Sequence, residues 1–112
     1  MQVLSITFAA AMSLIALNAS ASQATSGLVA DMSTWSNVEV LFNQLGNRDA
    51  APPCQTGNFP KAWAINATTA AGQNQYAMLL TAFAQRKTVR LLGLGGCSGR
   101  SDVETVEYIV ID

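Results

Sequence analysis

The stretch TTAAGQNQYAMLLTAFAQRK, Thr68 to Lys87, decides how this chain folds. Its large residues Tyr76, Leu79, Leu80 and Phe83 recur at i, i+3, i+4 and i+7, while Asn74, Thr81 and Gln85 fall opposite. That spacing predicts a helix whose apolar face is core. Thr68 or Thr69 can cap its start, and Arg86 with Lys87 suits the negative end of the helix dipole. Met78 and Ala82 lie among the polar positions and make that face uneven.

Outward from this helix the period is two. KAWAIN, Lys61 to Asn66, reads as a short strand with Trp63 and Ile65 facing one way and Ala62 and Ala64 the other. Further upstream, NVEVLFNQL sets Val38, Val40 and Phe42 against Glu39, Leu41 and Asn43, and Ser36-Asn37 turns it back from a first strand within Ser26 to Trp35. Downstream, Thr88 to Gly95 is a fourth strand. Asp102 to Asp112 is a fifth, with Val106, Tyr108 and Val110 opposed to Thr105, Glu107 and Ile109. The expected fold class is mainly β with one helix, in β-β-β-α-β-β order. This is the connectivity of an OB-fold, a five-stranded barrel with its helix between strands three and four.

LLGLGGCSGR, Leu91 to Arg100, invites a chemical reading. A dinucleotide loop needs a third glycine where Ser98 stands, and a helix where a strand follows. A catalytic serine elbow needs glycine two residues after the serine, and the chain has no histidine to act as base. Lys61 and Lys87 are not grouped with Ser98, and Asp102 with Glu104 reads as a carboxylate pair on an exposed strand face. No enzyme, metal or cofactor follows from these residues. The stretch reads as scaffold: glycine at Gly95, Gly96 and Gly99 permits positive φ and close approach, so strand four can end, present Cys97 and turn into strand five.

Cys54, in the long loop Gln44 to Pro60, and Cys97 are the two cysteines. In an exported chain an even count reads as a disulfide, worth about 4 kcal/mol in the chain-entropy model for a loop of this size. The alternative, a metal or redox pair, is opposed by their separation and by the missing histidine. Export is suggested by the start of the chain. Val3 to Leu17 is uncharged and mostly apolar, too short for a comfortable membrane span, and Ala19-Ser20-Ala21 fits signal-peptidase cleavage. Residues 1–21 are thus expected to be a secretory signal and residues 22–112 one small domain, in the periplasm or secreted, without a membrane span. A buried N-terminal helix is the competing reading, favoured by the lack of Lys or Arg before the apolar run. Six basic and seven acidic residues give a net charge of −1, which argues against nucleic acid as a partner.

The residues from Phe59 to Ile111 carry a resemblance: an aromatic strand, a small-residue turn, the M-L-L-T-A helix, a K-T-V strand, Gly-x-Gly-x-Cys and a final V-E-Y-I-V-I strand. Over Cys54 to Ile111 the chain resembles a group of small exported proteobacterial proteins. These are similar in size and strand order to the subtilase-cytotoxin B-subunit type, glycan-binding OB-fold subunits that assemble as rings. The resemblance implies an OB-fold with one disulfide, export, and sugar recognition by a homo-oligomer. No sugar-contacting residue carries over by position. Trp35 and Trp63 are the aromatic platforms a sugar ring could use, although a tryptophan beside a strand of a small barrel is ordinarily core. Two functions follow: a non-catalytic module that binds a glycan, or a domain that docks on another exported or envelope protein and has no small-molecule site.

Overall fold

Thr69 starts the helix. In the computed structural model, which describes residues 21–56 and 59–112, its hydroxyl accepts the Gly72 N–H at 3.0 Å and so satisfies one amide that a first turn leaves open. Helix α1 (Ala70–Gln85) ends at Arg86, which adopts the left-handed conformation (φ 54°), while the Lys87 N–H donates back to the Ala82 carbonyl at 2.9 Å. The signal-like segment read over residues 1–21 lies, apart from Ala21, outside the described residues.

The buried face of α1 is not the expected one. Gly72, Leu79 and Ala82 are buried and Tyr76 is partly so, whereas Leu80 and Phe83 are nearly half exposed. Gly72 supplies the reason. A Cβ there would sit 1.8 Å from the Asn66 carbonyl oxygen, so helix and strand end approach too closely for side chains. The narrow stripe of Gly72, Leu79 and Ala82 turns inward, and the bulkier stripe turns out.

The described residues hold six strands: β1 (Gln23–Gly27), β2 (Val29–Trp35), β3 (Glu39–Gln44), β4 (Ala62–Asn66), β5 (Val89–Gly93) and β6 (Val106–Ile111), of which β2, β4 and β6 pack most against the helix. They form two antiparallel three-stranded sheets, ordered β1-β5-β6 and β2-β3-β4, rather than a closed five-stranded barrel among the described residues. The expected first strand is divided at Leu28, because its two halves pair with different partners, β1 with β5 and β2 with β3. Contacts across the divide tie the sheets together. The buried Gln44 amide donates to the Thr25 carbonyl at 2.6 Å and to the Val89 carbonyl at 2.7 Å. Ala64 and Thr105 form an isolated parallel bridge, with the Ala64 N–H donating to the Glu104 carbonyl at 3.0 Å.

The main core gathers Val40 and Phe42 from β3, Trp63 and Ile65 from β4, Val89 and Leu91 from β5, Val106 and Ile109 from β6, and Leu79 with Ala82 from α1. In β6 the expected alternation fails at Tyr108, which is exposed while Ile109 is buried. Leu92 pairs with Tyr108 but Gly93 pairs with Val106, so Glu107 is an extra residue, and such a bulge swaps the faces on either side of it. The second face of β3 and β4 is covered as well. Ala62 and Ala64 pack with Val103, against Leu41, because the segment between β5 and β6 folds over them. Cys54 and Cys97 in the flanking loops are bonded, S–S 2.06 Å. Gly95 alone among the described glycines has positive φ, at 82°.

Candidate functional site

Trp35 and Trp63, the two sequence candidates, meet opposite fates. Trp63 has no exposed surface: its ring lies in the core under the Arg48 guanidinium, 3.8 Å from the ring centroid, so it offers no face to a ligand. Trp35 is 51% exposed at the end of β2, directly opposite Glu39 across the β2–β3 hairpin.

The hairpin turn fixes that pair. The Val38 N–H donates to the Trp35 carbonyl at 3.0 Å, and Val38 itself sits at φ 64°, a costly conformation for a β-branched residue. It is held there because its carbonyl accepts the Ala67 N–H at 3.0 Å. The indole N–H of Trp35 donates to Ser33 Oγ at 3.2 Å, and Arg100 approaches the ring at 5.1 Å from its centroid, within cation–π range. Arg100 Nε also donates to Asp102 Oδ1 at 2.6 Å. That bond raises the Arg100 pKa and lowers that of Asp102.

Beneath them Glu39 is buried, on the face of β3 opposite Val40 and Phe42, where Arg100 reaches it and Val103 packs on neighbouring Leu41. Its Oε2 has no hydrogen-bond partner, and Arg100 Nε stands 4.0 Å away. A cavity of about 280 Å³ opens beside the group, lined by Trp35, Val38, Glu39, Val40, Ala67 and Tyr76 among others. Trp35 and Tyr76 give the hollow aromatic surface on which a ring could stack, while Arg100, which does not line it, lies 5.1 Å from the Trp35 ring centroid. The sequence singled out Trp35 as a platform; Glu39, Arg100 and Tyr76, which the fold brings near it, come from three other parts of the chain.

The residues tested for catalysis have structural work. Thr105 Oγ1 accepts the N–H groups of Ser98 and Gly99, both at 3.1 Å, and Ser98 Oγ lies 3.3 Å from the same oxygen. Asp102 and Glu104 are not an exposed pair. Asp102 faces Arg100, whereas Glu104 is wholly buried, its Oε1 2.8 Å from Arg48 Nη2. The Arg48 guanidinium also donates to the Ala62 carbonyl at 2.8 Å and to Gln55 Oε1 at 2.9 Å. Burial lowers the Arg48 pKa, and the hydrogen bond to Glu104 opposes that. Gly93 makes room for the pair: a Cβ there would lie 1.9 Å from Glu104 Oε2.

No helix among the described residues is long and apolar enough to cross a membrane. Comparison with protein-family models, with curated proteins and with solved structures found no match.

Proposed function

We propose that this chain is an exported, non-catalytic binding module on an OB-fold-like barrel, recognising a glycan through the Trp35 hollow. Support for the barrel comes from connectivity. Only Leu28 separates β1 from β2, and the Ala64–Thr105 bridge brings β4 beside the start of β6, as closure of a five-stranded barrel requires. A disulfide is the kind of bond that persists in oxidising compartments, in keeping with the periplasm or secretion. The resemblance to exported proteins of the subtilase-cytotoxin B-subunit type adds sugar binding and assembly as a ring of copies.

The observation that carries the glycan reading is the half-exposed Trp35 ring near a buried carboxylate oxygen that has no hydrogen-bond partner and only a 4.0 Å ion-pair contact with Arg100. A buried acceptor left unpaired costs about 1–3 kcal/mol, and a ligand hydroxyl would relieve it. Fluorescence titration of a glycan-array hit tests this, since Trp63 is sealed and Trp35 reports on solvent. Trp35→Ala should weaken binding by roughly tenfold or more, as loss of a stacking platform does. A silent array, or unchanged affinity in Trp35→Ala, would sink the reading.

A second reading rests on the exposed side of α1, where Met78, Leu80 and Phe83 stand in solvent. Such a face suits a domain that docks on another exported or envelope protein. Co-purification separates the two. A stoichiometric protein partner supports docking, while a ring of identical chains in light scattering, without a partner, supports the glycan module.

A further inference from the structure

Ser22 is the first residue after the Ala19-Ser20-Ala21 pattern, and it is wholly buried while Ala21 is exposed. Each of its polar atoms is held. Its N–H donates to Glu104 Oε2 at 3.2 Å, its carbonyl accepts the Gly93 N–H at 2.9 Å, and its hydroxyl donates to Glu104 Oε1 while accepting Arg48 Nε at 3.1 Å. Glu104 Oε2 accepts the Gly95 N–H as well, at 2.9 Å. Beside this cluster the Gln23 N–H donates to Asp49 Oδ1 at 2.6 Å. The charged groups around the Ser22 nitrogen are therefore two carboxylates, Glu104 and Asp49, and one guanidinium, Arg48.

We infer that the cluster is a built receptor for the chain's own processed N-terminus: the α-ammonium of Ser22 seats on Glu104 and locks the mature fold. Hydrolysis of the Ala21–Ser22 peptide bond by a signal peptidase consumes one water. Its oxygen stays on the Ala21 carboxyl, and the Ser22 nitrogen takes up protons to become an ammonium at neutral pH. The cation then balances the surplus carboxylate. Three N–H donors replace one, beside an acceptor that is already buried and oriented. A charge-assisted bond to a buried carboxylate is stronger than one from a neutral amide. The unprocessed chain keeps the single amide bond, so cleavage itself tightens the junction of β1 with β5 and the Glu104 segment. The inference rests on the export reading above, and independently on the geometry of Ser22, Glu104 and Arg48.

The test has two arms. The full chain is expressed with its own start in a bacterial host, and the exported product is weighed by intact mass. Separately, protein beginning at Ser22, released from a fusion whose protease leaves nothing behind, is compared with the same chain carrying Gly-Ser-Gly before Ser22. The expected mature start is Ser22. The extension should lower Tm by about 5 °C or more, a resolvable shift for a domain of this size. The Ser22 α-amine should react with an acylating probe at least roughly tenfold more slowly than that of the extended chain, because it is exposed only on local opening. Glu104→Gln should erase the Tm difference between the two forms. Should that variant fail to fold, amine protection and the extension effect in the parent chain still decide. Equal Tm and equal reactivity in the two forms overturn the seating and leave export standing. A start other than Ser22 in the exported product does the same. Absence of export or cleavage overturns both readings.

Discussion

Gly72→Ala sets two effects of opposite sign against each other. Alanine is the better helix former, which alone would stabilise α1 by up to about 1 kcal/mol. The new methyl, however, would meet the Asn66 carbonyl oxygen at 1.8 Å and its carbon at 2.6 Å, and both are backbone atoms of β4 that no rotamer change can move. Real contacts of this kind stay beyond about 3 Å, so the helix must lift from the strand end by about 1 Å. Lifting it loosens Leu79 and Ala82 from the core and strains the Thr69 cap. Overpacking of this order costs about 1–3 kcal/mol, and with the cap strained the upper half of that range applies. The net expectation is a loss of about 1–2 kcal/mol, or a fall of about 1 M in the urea midpoint. Urea unfolding followed by fluorescence and by far-UV dichroism measures it, and coincident curves license the free energies. Gly96→Ala is the control, since a Cβ there meets nothing within 4 Å. A Gly72→Ala protein as stable as the parent, or more so, would show that α1 does not press on β4 and would remove the account of its buried face.

Three other outcomes follow from the same packing. Gly93→Ala drives a methyl into the Glu104 carboxylate and the Trp63 ring, so thermal unfolding should show a loss of about 3 kcal/mol or more, and Gly93→Ala with Glu104→Ala should recover part of it. Replacing Cys54 and Cys97 by serine opens a link across 43 positions, and denaturant titration should show a loss of about 4 kcal/mol with little change in the native spectrum. Asp102, held by Arg100 below its usual 3.8, contributes stability that is complete above the unfolded carboxylate pKa and is lost as pH falls through the folded one. Asp102→Asn should therefore lower the neutral plateau of the stability profile slightly and flatten its acid limb below about pH 4, so that variant and parent converge in acid; a variant with the parent's plateau and acid limb would sever that pair.

Much of the fold was legible because strands advertise themselves by local period. β3 and β4 fell where alternation put them, with Val40, Phe42, Trp63 and Ile65 in the core. The disulfide was legible from two cysteines in loops. The bulge at Glu107 was not, because nothing in DVETVEYIVID says which residue Leu92 will face; register belongs to the partner strand. Gln44 and Glu39 were illegible for a related reason. Gln44 continues the Val40–Phe42 face, where alternation asks for an apolar residue, yet a polar one is buried there because two carbonyls from the other sheet need its amide. Glu39 is buried where a loop more than fifty positions away brings Arg100 to it and Val103 onto neighbouring Leu41. Arg48 and Glu104 are separated by 56 positions, and only the fold makes them one charged group.

Periodicity in the helix gives spacing and leaves rotation open. Two stripes run along TTAAGQNQYAMLLTAFAQRK, one through Leu79 and Ala82 and one through Leu80 and Phe83, about 100° apart around the axis. Hydrophobicity favours burying the second, which is the larger. Close approach favours the first, since a helix drawn against the end of β4 by Gly72 has no room for a phenylalanine between them. The contact wins because the dense interior rejects excess volume at a cost comparable to what burying one large side chain returns. Leu80 and Phe83 are then left in water, and the surface that a docking partner would cover is the remainder of that packing choice.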